Sequence, residues 1–176
     1  MTTDAIVRGR AGWPVYGKHD TLIYAAALTM SCHIVISWEG GSDVDICAFF
    51  THYPSVMVGY AHDGYINDGN GLTAAWGGDN TTGGPETVDL AYSGWDSLLG
   101  KSFEIHANWY SVGTDSEGNE LSGGGSATIT ATDQRGNTKT FTLMPATNKH
   151  KKAEAGDPGA IIIFDYDGSI KQIAAA

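Results

Sequence analysis

The chain has 176 residues, 41% of them hydrophobic, with 24 glycines, 5 prolines and 2 cysteines. That composition suits one folded domain with its own core and excludes a disordered chain, collagen or a disulfide-built scaffold. Twenty acidic residues against ten basic ones give a formal net charge of −10, which leaves no surplus of cations for a nucleic-acid face.

Met1–Thr21 reads as an N-terminal segment and residues 22–176 as a single domain. Met1–Arg10 lacks the charged-then-apolar order of a secretion signal, and Leu22–Met30 is too short to span a bilayer. A cytoplasmic location without membrane insertion is therefore expected. His33–Trp38 alternates, with Ile34, Ile36 and Trp38 on one face, and predicts a strand. Val44–Phe50 predicts another, with Val44, Ile46, Ala48 and Phe50 on one face and Asp43, Asp45, Cys47 and Phe49 on the other. Val56–Tyr60 and Thr87–Leu90 are shorter candidates, and Asp63–Gly71 reads as a hairpin and loop. Trp95–Leu99 and Ala146–Ala155 offer short helical pieces. Phe103–Tyr110 alternates over its whole length, with Phe103, Ile105, Ala107 and Trp109 facing one way. Ala127–Thr132 and Thr138–Leu143 flank a turn, as do Ala160–Phe164 and Ser169–Ile173, giving two hairpins. Many short alternating strands with little helix predict an all-β fold, a two-sheet β-sandwich. Cys32 and Cys47 lie in strand-like runs and are expected as buried free thiols.

Two runs carry chemistry. Asp43 and Asp45 stand two apart at the start of a strand, so their carboxylates point to the same side. Such a pair repels unless a cation, a donor or water intervenes, or one group takes a proton. On spacing alone, two solvated aspartates at a loop–strand junction are the plainer description. The second run, Gly77–Leu90, is polar and glycine-rich, and Asp79, Asn80, Thr81 and Thr82 supply side-chain oxygens of the kind calcium accepts. Alone it describes a surface loop with Asx-turns equally well. Its spacing is neither that of an EF-hand nor that of a phosphate loop. The histidines and cysteines lack zinc-site spacing, and no nucleophile elbow is present.

Taken together, Trp38-Glu39, Asp43-Val44-Asp45 with Ala48-Phe49, Gly78-Asp79-Asn80-Thr81-Thr82-Gly83 and Val88-Asp89-Leu90 resemble, in order and spacing, the motifs of the TerD family of tellurium-resistance and stress-response proteins. The resemblance runs from about Leu22 to the end of the chain. It implies a calcium-binding β-sandwich with a cytoplasmic, non-enzymatic role in stress response, in company with other stress-response proteins. It implies Asp43, Asp45, Asp79 and Asn80 as metal ligands. The chain departs from the pattern at Gly84–Thr87, where acidic groups are missing, and at Asn108-Trp109, where the family tends to have His-Asp. The departures imply one cation site or a degenerate one. A rival reading is a carbohydrate- or surface-binding module, of a phage or surface assembly for example, with structural calcium and with Trp13 and Trp76 exposed in glycine-rich settings. The oligomeric state is not legible in the sequence.

Overall fold

The computed structural model describes residues 7–8, 14–15, 30–39, 42–81, 83–92, 101–114, 116–119, 125–165 and 167–176. Among these residues thirteen strands follow in chain order: β1 (Val7–Arg8), β2 (Pro14–Val15), β3 (Met30–Trp38), β4 (Asp43–Phe50), β5 (Val58–Gly59), β6 (Tyr65–Asn67), β7 (Leu72–Trp76), β8 (Glu86–Tyr92), β9 (Ser102–Ser111), β10 (Ala127–Asp133), β11 (Thr138–Leu143), β12 (Gly159–Phe164) and β13 (Ile170–Ala175). β1 and β2 pair with each other. The rest form two antiparallel sheets, one in the order β11-β10-β3-β8-β7-β6 and the other β13-β12-β9-β4-β5.

The two sheets pack face to face as a β-sandwich. Alternation decides which side chains fill it, because successive residues of a strand point to opposite faces. Ile34, Ile36 and Trp38 of β3, Val88 and Leu90 of β8, and Ala127, Ile129 and Ala131 of β10 come from one sheet. Val44, Ile46, Ala48 and Phe50 of β4, Phe103, Ile105, Ala107 and Trp109 of β9, and Ala160 and Ile162 of β12 meet them from the other. The outward face of the first sheet carries Thr138, Thr140 and Thr142, all exposed. Both cysteines are buried and free.

β4 is buried on both faces. Its second face packs Cys47 and Phe49 against Ala153 and Met57, beneath residues 144–158. That segment is not helical. Ala146 accepts from Trp109 N–H at 2.7 Å and donates to Ala107 at 2.9 Å, and His150 N–H donates to the Tyr110 carbonyl. Its backbone is thus spent on β9 instead of on its own helical turn. The buried Asn108 side chain fastens it further, accepting from Asn148 N–H at 2.8 Å and donating to the Asn148 and Lys151 carbonyls. The other helical candidate, Trp95–Leu99, lies outside the described residues.

The two C-terminal hairpins are tied together at their tips, beside the Cys32 end of β3. Arg135 pairs with Asp167 at 2.8 Å, Gln134 donates to the Asp167 carbonyl, and Ile170 N–H donates to Asp133. Lys139 reaches across from β11 to the Lys171 carbonyl of β13 at 2.7 Å. Among the described residues no helix is long and apolar enough to cross a membrane.

Candidate metal centre

The opposite end of the sandwich, where β3 finishes at Trp38, is acidic. Trp38 lies in the core and its indole N–H donates to the Ser42 carbonyl at 2.8 Å, which fixes the entry to β4. Asp43 and Asp45 follow at once. The pairing of β4 with β9 slips by one residue here, since Asp43 stands opposite Ser111 but Val44 opposite Trp109. Such bulges re-aim neighbouring side chains and recur beside functional sites. The connection from β7 to β8 arrives from the other sheet. Gly84 in it has φ +58°, and a Cβ there would sit 3.0 Å from the Trp38 ring. The loop therefore lies against the indole as only glycine allows, and it carries Asp79.

One oxygen each from Asp43, Asp45 and Asp79 lies within 4.8 Å of the other two. Asp43 is 6% and Asp45 1% exposed, while Asp79 is exposed. Asp43 Oδ1 and Asp45 Oδ2 are buried and have no hydrogen-bond partner. Buried carboxylates are normally paired or hydrogen-bonded, because leaving one without compensation costs several kcal/mol. Here no lysine or arginine forms an ion pair with any of the three among the described residues. Burial, then the charges of Asp43 and Asp79, push the Asp45 carboxyl up to about 7. Burial and then Asp79 push Asp43 up as well.

A fourth acid, Glu86, adjoins the cluster. It opens β8 and shares the inward face with Val88 and Leu90, 1% exposed. Its Oε2 accepts from the Trp76 indole N–H at 3.1 Å, and its Oε1 is buried without a partner. Burial raises its carboxyl to about 8 against the lowering effect of the Trp76 and Asn80 donors, with Asp45 and Asp79 adding to the rise. Period-two alternation from Leu90 back through Val88 would have placed Glu86 inside. The glycine-rich run before it reads as loop and masks that alternation.

The expected ligands thus separate. Asp43, Asp45 and Asp79 converge. Asn80 lies in the same loop, half-buried, with its side-chain amide 3.5 Å from the Pro85 carbonyl. Trp76 is half-buried against the core and its indole N–H is committed to Glu86. Trp13 lies outside the described residues. Asn108 and Trp109 are both buried, the first holding residues 144–158 and the second filling the core.

Three converging carboxylates, two of them buried and short of donors, could hold a metal ion. Hard oxygen donors select hard cations such as Ca²⁺, Mg²⁺ or Mn²⁺ over the softer metals. The chain matches no protein-family model, no curated protein and no solved structure.

Proposed function

We propose that this β-sandwich is a non-catalytic calcium-binding protein whose cation joins its two sheets at the acidic end. The observation that carries this reading is the pair of buried, partnerless oxygens, Asp43 Oδ1 and Asp45 Oδ2, beside Asp79 and with no ion pair to a basic group among the described residues. A divalent cation supplies the missing charge. The oxygen separations of at most 4.8 Å fall within twice the calcium–oxygen distance of about 2.3–2.6 Å. Calcium is favoured over magnesium because it accepts six to eight oxygens in flexible geometry, and the glycine-rich loop that carries Asp79 also carries Asn80. A role in stress response alongside other proteins rests on the motif resemblance to the TerD family. Titration calorimetry with calcium, and separately with magnesium, tests the site. Calcium is expected to bind the parent chain more tightly than magnesium, and Asp79→Asn to weaken calcium at least tenfold. A parent chain that takes up no calcium overturns the proposal.

A further inference from the structure

On the outer face of the five-stranded sheet, which Asp45, Cys47 and Phe49 of β4 share by alternation, His106 occupies a second polar site with a different logic. It is 5% exposed and its ring stacks on Phe49, with centroids 5.5 Å apart and planes 9° from parallel. Nδ1 lies 2.6 Å from the Asp157 carbonyl oxygen. Nε2 lies 3.2 Å from Glu104 Oε2. A carbonyl oxygen and an ionised carboxylate can only accept, so each ring nitrogen faces a group that asks it for a proton. A neutral imidazole has one N–H to give and an imidazolium has two.

The fit around the ring leaves it no other position. Gly159 of β12 stands opposite His106 in register, and a Cβ there would lie 2.6 Å from Nδ1. Phe49 covers one ring face. Asp157 belongs to the segment 144–158 that lies over the second face of β4, and the Pro158 carbonyl accepts from Ala107 N–H at 3.0 Å. The ring therefore bridges β9 to the end of that segment.

We propose that His106 is a proton-operated latch for residues 144–158: taking up a second proton closes the chain Glu104–His106–Asp157 and tightens the segment onto β9. With one proton, carried on Nδ1, the Asp157 contact stands and the Nε2 lone pair opposes the Glu104 carboxylate. With two protons both contacts are made, and the charged ring is stabilised by Glu104 and by the Phe49 face. The titratable and charged groups around it are few. Cys47 of β4 stands opposite His106 in register, and burial foremost holds its thiol up at about 12, so it stays neutral. Asp45 lies two residues along the same face of β4, opposite Asn108, Glu104 comes from β9 itself, β12 places Gly159 opposite the ring, and residues 144–158 bring Lys152, Glu154 and Asp157, whose charges reach Cys47. The Asp157 carboxylate is engaged by Glu154 N–H and the Asn148 amide.

The test is amide-exchange protection by NMR between pH 8 and pH 5.5 in saturating calcium, with ¹⁵N shifts of the His106 ring recorded in parallel. In the parent chain, protection of Ala107 and Asp157 is expected to rise several-fold as pH falls, in step with the appearance of the doubly protonated ring. Glu104→Gln supplies an amide N–H to the neutral Nε2 at nearly constant volume. It is expected to hold high protection at pH 8 and to flatten the dependence. Both chains carry the same acidic cluster, so its own titration cancels in the comparison. A ring that stays singly protonated throughout, or equal pH dependence in the two chains, overturns the proposal.

Discussion

Replacing Asp45 by asparagine is expected to act in opposite directions with and without calcium. Burial, then Asp43, then Asp79 raise its carboxyl from 3.8 to about 7. At about 1.4 kcal/mol per pH unit, that difference sets a ceiling of about 4 kcal/mol on the cost of ionising Asp45 in the folded, cation-free chain at pH 8. Asp79 is exposed, so water and salt reach the cluster and screen part of the repulsion, which leaves about 2 kcal/mol. Asp45→Asn removes that cost at nearly constant volume. In chelator at pH 8 the variant is therefore expected to be the more stable protein, with a Tm about 4–8 °C higher for a chain of this length. With calcium at a thousandfold over Kd the parent gains about 4 kcal/mol, and the variant, having lost one of three converging carboxylates, gains far less. The order of stability then reverses. Urea unfolding at pH 8, with EDTA or with calcium, reads both arms. A variant less stable than the parent in EDTA would refute the claim that uncompensated charge governs this end of the fold.

Without calcium, stability is expected to fall as pH rises. Asp43, Asp45 and Glu86 all have carboxyls raised in the folded state. Their contribution is whole below the unfolded values near 4 and is lost as pH climbs through about 7 for Asp45 and about 8 for Glu86. Saturating calcium should flatten or invert that slope, which thermal unfolding from pH 4 to pH 9 would reveal. Asn108→Ala strips three hydrogen bonds from residues 144–158 and leaves backbone groups without partners. A loss of about 2–4 kcal/mol is expected in urea unfolding, together with earlier proteolytic cleavage between residues 146 and 157.

The sandwich was legible because alternation is a local signal. Thr138–Leu143 matches its strand end to end, and Val44–Phe50 and Ala160–Phe164 each fall one residue short at the start. Asp63–Gly71, read as hairpin and loop, contains β6 and leads into β7. The order of strands was not legible, since nothing local says that β3 lies between β8 and β10. Asp43, Asp45 and Asp79 could be read as one group only through the motif resemblance. Ala146–Ala155 misled because its alanines favour a helix, whereas the Asn108 side chain and the β9 backbone capture it from outside. Glu86 escaped because an acid on a core face runs against the ordinary rule of burial.

The sandwich is fastened differently at its two ends. Where the hairpin tips meet, Arg135, Asp133, Asp167 and Lys139 bind the sheets with groups the chain carries itself. At the Trp38 end the facing groups are carboxylates that repel. A mechanical load applied across the sheets would therefore meet an ion pair and hydrogen bonds at one end and, at the other, the short crossing from β3 to β4 with its Trp38–Ser42 hydrogen bond. With the proposed cation in place, the resistance at that second end would depend on dissolved ion concentration.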